Sequence, residues 1–204
     1  MLLLVTGASG VGKSTARVGP TKLLDDSFAA VELWHLGPIP PVPTIAWRQE
    51  MAEVAVQRAI VLEREGRHLV LAGDPVATGE VLAAPSADQI DVAVCLLDGD
   101  AESQTARLRA LQHPEEWLPN NLGFAEWMRI HATDPSHVPE AITTNGWDRM
   151  RWESWVGRPA DDSWAMTVID TSDNGPAEVA QLVADWCRKA VRGEVPVFRA
   201  GWFK

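Results

Sequence analysis

The first fourteen residues constrain this chain more than any other stretch. Leu2-Leu3-Leu4-Val5-Thr6 is a continuous apolar run, and Gly7-Ala8-Ser9-Gly10-Val11-Gly12-Lys13-Ser14 follows it without a gap. The run reads as a parallel strand buried on both faces, and the octet satisfies the phosphate-loop pattern GxxxxGK[ST] in the context that gives the pattern meaning. The glycines let the backbone curl until successive N–H groups converge on one anion, and a helix from Lys13 onward would add its positive end. Such a nest suits the polyphosphate of a nucleoside triphosphate. Lys13 is expected to reach the β- and γ-phosphates as a flexible point charge. Ser14 is expected to complete the shell of a Mg²⁺ that keeps several waters, with Thr15 a poorer ligand. The loop by itself leaves the reaction open, because kinases, GTPases and motor ATPases all bind phosphates this way.

Composition narrows the setting. With 204 residues, 46% hydrophobic and 23% charged, the chain is expected to form one folded domain over residues 1–204. A net charge of −10 opposes a polyanionic partner, and Arg188-Lys189 is an isolated basic pair, so no nucleic-acid partner is expected. Cys95 and Cys187 give neither a disulfide framework nor CxxC spacing and read as core thiols in a reducing cytoplasm. The amino-terminal apolar run is too short for a secretory signal and lacks a basic flank, and no segment approaches the length of a membrane span. A cytoplasmic protein without a membrane partner is expected.

Apolar runs at Leu2–Thr6, Phe28–Leu33, His68–Ala72, Asp91–Leu97 and Trp164–Asp170 alternate with helix-compatible segments, which predicts an α/β fold with a parallel sheet. Gly19-Pro20 should cut the first helix short. Gly37 to Pro43 is a stiff, proline-dense connector, followed by a helix over Ile45–Gly66. Helices are also expected at Asp100–Gln112, capped by Asp98 or Asp100, and at Pro176–Val191, where proline and Glu178 suit the amino end. Residues 113–163 hold five prolines and no strand–helix alternation, with helical pieces at Phe124–His131 and Asn145–Val156; they read as a helical lid or substrate-binding insertion. The tail from Gly193 should lay Phe198 and Trp202 on the body.

With the loop come Glu32 ending the second strand, Leu69-Val70-Leu71-Ala72-Gly73-Asp74 ending the third, Val94-Cys95-Leu96-Leu97-Asp98 followed by Arg107-Leu108-Arg109, and Ile169-Asp170-Thr171-Ser172 before the last helix. On these motifs the chain resembles the small P-loop kinases, the superfamily of nucleoside monophosphate, shikimate, gluconate and chloramphenicol kinases, without a close match to one member. The resemblance implies a P-loop NTPase three-layer fold, a five-stranded parallel sheet with a lid over the nucleotide. It also implies ATP and Mg²⁺ as cofactors, and transfer of the γ-phosphoryl group to a hydroxyl or phosphate of a small-molecule acceptor. By the same resemblance Arg107, Arg109, Thr171 and Ser172 belong to the nucleotide side. Two departures matter. Glu32-Leu33-Trp34-His35 stands where many relatives carry an Asp that binds magnesium or takes the acceptor's proton, which leaves Glu32, His35 and Asp74 as candidate bases. Leu111 stands where several carry an arginine that packs on adenine, a role Arg109 could take over.

Phosphoryl transfer needs the γ-phosphate and nucleophile in line, with the equatorial negative charge offset by Mg²⁺, Lys13 and arginines from a closing lid that excludes water. Arg107, Arg109, Arg129, Arg149 and Arg151 are the candidates, against the alternative of a solvated helix face for each. Asp74 should emerge at the carboxyl edge of the sheet, as an outer-sphere hold on Mg²⁺ or as the opening of the Asp74-Pro75 turn. Trp34, Trp47 and Arg48 flank the proline connector and could clamp the acceptor; alternatively Trp47 staples the helix start to the core and Arg48 is exposed. Trp117, Trp127, Trp147, Trp152, Trp155 and Trp164 could line a pocket, but aromatics at helical spacing are more often core. Arg129-Ile130-His131-Ala132-Thr133-Asp134 is a second acceptor-side candidate.

Absences bear on the reaction. The sequence holds no Asn-Lys-x-Asp guanine motif and no LSGGQ-type signature, and Pro75 follows Asp74 where mechanical ATPases place a water-activating Glu. That favours transfer over hydrolysis. The competing readings are a nucleotide-binding sensor with little turnover and a nucleoside monophosphate kinase, which would need Arg48, Arg58 and Arg64 on the arm from Gly37 to Gly66 to converge on an acceptor phosphate.

Overall fold

The structure is a computed structural model that describes residues 1–13, 23–73 and 75–202. Its five strands, β1 (Leu2–Thr6), β2 (Phe28–Val31), β3 (His68–Ala72), β4 (Val92–Asp98) and β5 (Thr167–Asp170), form one sheet in the order β2-β3-β1-β4-β5. All pairs are parallel, with Val5 opposite Ala72 on one side and Cys95 on the other. A sheet of this kind needs cover on both faces, and the side chains of β1 divide accordingly. Leu2 and Leu4 enter one core, and Met1, Leu3 and Val5 enter the other.

Helices α1 (Ile45–Arg64), α2 (Thr78–Leu82), α3 (Ala101–Ala110), α4 (Leu118–His131), α5 (Glu140–Thr143) and α6 (Pro176–Val191) surround the sheet. On one face α1 lays down small residues, Ala52, Ala55 and Ala59, that bring its backbone close to the strands, while Trp127, Trp155 and Trp164 complete that core. On the other face Val179, Val183, Trp186 and Cys187 of α6 pack on Leu3, Val5, Cys95 and Leu97. Both cysteines are free and buried, and burial pushes the Cys187 thiol up to about 12. The architecture is the three-layer α/β fold expected, with a five-stranded parallel sheet.

Local chemistry accounts for the boundaries. Thr44 caps α1 by accepting a hydrogen bond from the Trp47 N–H at 3.1 Å, and Asp100, rather than Asp98, caps α3 by accepting from Ser103 N at 2.6 Å. At α6, Glu178 accepts from Gly175 N at 2.7 Å, beside Pro176 in the first turn.

Four segments depart from expectation. The second strand stops at Val31, and Leu33–His35 turns into a 3₁₀ helix instead. The fifth begins at Thr167; Trp164 is a plug in the core whose indole donates to His131 O at 2.7 Å. Asn145–Val156 is not a helix apart from the 3₁₀ turn Trp152–Ser154. There Asn145 adopts a left-handed φ of 55°, Trp147 N donates to the Gln49 side chain at 2.7 Å, and Arg151 N donates to Ala83 O at 2.7 Å. Distant acceptors therefore take the donors a helix would use. The helix expected from Phe124 starts earlier, at Leu118, with Pro119 in its first turn, where a missing N–H costs nothing. The tail behaves as expected, with Phe198 exchanging backbone hydrogen bonds with Val92 at 2.8 and 2.9 Å. No helix among the described residues is long and apolar enough to cross a membrane.

Candidate active site

The phosphate loop leaves the carboxyl end of β1 along a path only glycine permits. Gly7, Gly10 and Gly12 have φ of 148°, 86° and 97°, and a Cβ on Gly7 would lie 2.4 Å from the Leu97 carbonyl oxygen. Two side chains fasten the loop from outside. Gln104 of α3 donates to Ser9 O at 2.7 Å. The Thr171 hydroxyl lies 3.0 Å from Val11 O and 2.8 Å from Asp98 O; because Asp98 O already accepts from Thr171 N, the hydroxyl proton is best given to Val11 O. Thr171 is fully buried and thus positions the loop from behind. Lys13 is also buried, and its ammonium donates to Ala8 O at 2.5 Å, folded back over the loop. Ser14, Thr15 and Asp74 lie outside the described residues.

A cavity of about 470 Å³ opens from the loop, lined by Gly10, Gly12, Lys13, Arg107, Leu111, His113, Asn174 and Pro176. Arg107 spans from its wall to the turn after β5, donating to Thr171 Oγ1 at 3.0 Å and Ser172 O at 3.1 Å. Ser172 is held in that turn, donating to Asp170 Oδ1 at 2.6 Å and accepting from Asp100 N at 2.9 Å. Arg109 is not on the cavity wall. It forms a two-pronged pair with Glu115 at 2.7 and 2.9 Å and is exposed. Leu111, at the position where the resemblance places an arginine, is on the wall, as are the apolar Pro176 and Val179, the latter 3.8 Å from where a Cβ on Gly12 would sit.

The acceptor-side candidates gather at the ends of β2 and β3. The 3₁₀ turn places His35 Nδ1 3.5 Å from Glu32 Oε2, with Glu32 largely covered and His35 open to solvent. Glu32 lies against Gly73 at the end of β3; a Cβ there would sit 2.5 Å from Glu32 Oε1. Trp34 and Trp47 meet at a ring separation of 4.9 Å, and the Trp47 indole donates to Pro38 O at 3.0 Å. Trp47 therefore braces the connector, and Trp34 keeps an exposed flank. Arg48 is committed elsewhere. Its guanidinium donates at 2.7 and 3.0 Å to Glu80 Oε1, which is fully buried and also accepts from Gln49 at 3.1 Å.

The remaining candidates are dispersed. Arg129 pairs with Asp98 at 2.7 and 2.9 Å, which holds its guanidinium above the usual arginine range; it borders a second groove of about 750 Å³ rich in carboxylates, including Asp100, Glu126, Asp170 and Asp173. Arg149 lies over Trp147 at 5.2 Å, and Arg151 donates to Pro85 O at 3.2 Å. His131 is buried among Trp127, Trp155 and Trp164, with ring separations of 4.6 to 5.2 Å, and burial lowers its pKa to about 4. The Arg129–Asp134 segment therefore splits between a surface pair, a core imidazole and a local turn in which Asp134 accepts from Ser136. Sequence reasoning missed Gln104, His113 and Asn174. Gln104 alone left a signal, one helical turn before Leu108 on the face that meets the loop.

No model of a protein family matches the sequence, and no curated protein matches it. Solved structures do. An unliganded sugar kinase of Janibacter sp. HTCC2649 is similar over 92% of this chain and 94% of its own, at 14% identity and a TM-score of 0.56. A candidate kinase of Chloroflexus aurantiacus is similar over 95% and 97%, at 12% identity and a TM-score of 0.50. At such identities the likeness is one of fold alone, the α/β fold that this chain shares with those two proteins.

Proposed function

We propose that this chain is an ATP-dependent phosphotransferase that moves the γ-phosphoryl group to a hydroxyl of a small-molecule acceptor in the cytoplasm. One observation carries the reading: the glycine-built anion nest with Lys13 opens on the same sheet edge as the Glu32–His35 pair. A donor site and a proton acceptor at one edge are the two halves of a kinase.

In this reading the loop N–H groups and Lys13 hold the β- and γ-phosphates, and Arg107 is close enough to move onto the charge that develops at the transferring group. The acceptor oxygen attacks phosphorus as the bond to the β-phosphate oxygen breaks. ADP leaves, and the hydroxyl proton passes to Glu32, His35 or Asp74. Mg²⁺, when bound, neutralises phosphate charge; no cluster of three or more His, Cys, Asp or Glu able to hold a metal occurs among the described residues. That fits an ion held chiefly by phosphates and water, with Ser14 and Asp74 as the protein's contribution. A hydroxyl acceptor is favoured over a phosphate because Arg48 is occupied by Glu80, while Arg58 and Arg64 are exposed further along α1. The net charge of −10 likewise speaks for a small acceptor rather than a nucleic acid.

The test is acceptor-dependent ADP release across a panel of hydroxylated metabolites with Mg²⁺ and ATP. Turnover with a subset is expected, and replacing the proton acceptor (Glu32→Gln or His35→Asn) should lower kcat by roughly 10²–10⁴-fold with nucleotide affinity unchanged. Nucleotide binding without turnover under any acceptor would favour the sensor instead.

A further inference from the structure

We infer that the groove between the 158–165 segment and the carboxyl-terminal tail binds a free α-amino acid with a large apolar side chain, its carboxylate taken by Arg158 and its ammonium by Asp162. The cavity measures about 440 Å³ and lies apart from the phosphate loop. Phe198 on its wall exchanges backbone hydrogen bonds with Val92, the first residue of β4, whereas the loop leaves the carboxyl end of β1. In a parallel sheet those are opposite edges. The site is therefore independent of the proposed phosphoryl transfer.

Its charges are arranged for a zwitterion. Arg158 Nη2 donates to Trp202 O at 3.2 Å, and the guanidinium lies over the Trp202 ring at 5.0 Å, so one edge and one face are anchored. The other N–H groups of Arg158 have no acceptor among the described residues. They make the fork that a carboxylate meets with two parallel hydrogen bonds. Asp161 attracts this guanidinium only at longer range and is held in its own turn, where it accepts from Ser163 N at 2.8 Å. Asp162, also on the cavity wall, is exposed and has no donor or cation beside it among the described residues. Arg199 completes the charged lining, but Asp91 meets it at 2.8 Å. Two opposite charges thus line one cavity without pairing with each other. A ligand with a single charge would be attracted by one and repelled by the other, whereas an α-amino acid carries both charges on one carbon and bridges them. Pro196, Val197 and Phe198 supply apolar wall for its side chain.

Calorimetric titration of L-phenylalanine, L-leucine, hydrocinnamate and phenethylamine into the whole chain tests this. Hydrocinnamate is phenylalanine without the ammonium, and phenethylamine is phenylalanine without the carboxylate. L-Phenylalanine should bind on the order of 10–100-fold more tightly than either, the worth of one charge-assisted contact. In Asp162→Asn its affinity should fall to that of hydrocinnamate, which should bind this variant no more weakly than the unaltered protein. In Arg158→Gln it should fall towards that of phenethylamine, with affinity for the amine unchanged. The Asp162 replacement removes no contact within the fold, so its result stands even if the Arg158 replacement destabilises the tail. Absence of saturable binding of both amino acids at about 10 mM would overturn the inference. Equal affinities for phenylalanine and its two analogues, or a parallel loss of all three in Asp162→Asn, would overturn it as well.

Discussion

On the phosphate-loop side of the sheet edge, between β1, α3 and the turn after β5, the loop is fixed by backbone geometry and by short reaches from Gln104 and Thr171, with Arg107 in turn holding Thr171. On the side proposed to face the acceptor, α1, α2 and the 113–166 region are joined by long side chains from distant parts of the sequence. Glu80 collects Arg48, Gln49 and the Ala77 N–H, while Gln49 extends the network to Ile142 O and Trp147 N. Around His131 the same side is filled with indoles. The contrast teaches that a site for a constant ligand can be written in a short motif. On the proposed function, a wall that suits one particular acceptor would instead be assembled from contacts tens of residues apart.

The comparison can be broken by showing that the two sides are not separable. The largest effect is expected at Glu80. Glu80→Ala would leave the Arg48 guanidinium and Gln49 without their shared acceptor and should lower stability by about 3–5 kcal/mol in urea unfolding. Nucleotide affinity of the folded fraction should stay near its original value. A fall in affinity as large as the fall in stability would mean one coupled unit.

His131 sharpens the contrast through pH. Burial lowers its pKa to about 4, against 6.5 for an exposed imidazole. Above pH 6.5 the ring is neutral in the folded and unfolded chain alike. Between 6.5 and 4 only the unfolded chain binds the proton, so stability falls as the pH drops, by about 3 kcal/mol in total from this residue; below 4 nothing further is lost. His131→Phe should remove that part of the pH dependence, read as the difference in unfolding free energy between pH 7 and pH 4.5. An unchanged slope would show that the imidazole is not buried uncharged.

The smallest effect belongs to the cap of α1. Thr44→Ala should cost about 1 kcal/mol by removing the acceptor for Trp47 N. Loosening of the proline connector should appear as a raised KM for the acceptor, with KM for ATP unchanged.

What was legible in the sequence follows the same division. Leu2–Thr6, His68–Ala72 and Pro176–Val191 could be read to the residue because a doubly buried strand must be apolar throughout and because proline with a nearby glutamate marks a helix start. The approach of Glu32 and His35 was implicit in their three-residue spacing, which a 3₁₀ turn brings together. Arg48 stayed ambiguous because its partner lies 32 residues away with no local mark. Trp164 extended an apolar run and so looked like strand, although an indole in such a run serves equally as a plug. Asn145–Val156 had helical composition, but Gln49 and Ala83 capture its backbone donors from about 100 and 70 residues away, beyond the reach of any periodicity. Arg109 matched a family pattern in type and spacing, yet Glu115 six residues on draws it out to solvent.

The central claim, that the loop is a working triphosphate site, is tested most directly by titrating Mg²⁺–ATP into the unaltered protein and into Lys13→Ala, with thermal unfolding of both. The account predicts binding by the first and an affinity loss of roughly 10–100-fold in the second, the worth of one charge-assisted hydrogen bond, at a nearly unchanged unfolding midpoint. Equal affinities in the two proteins would contradict it.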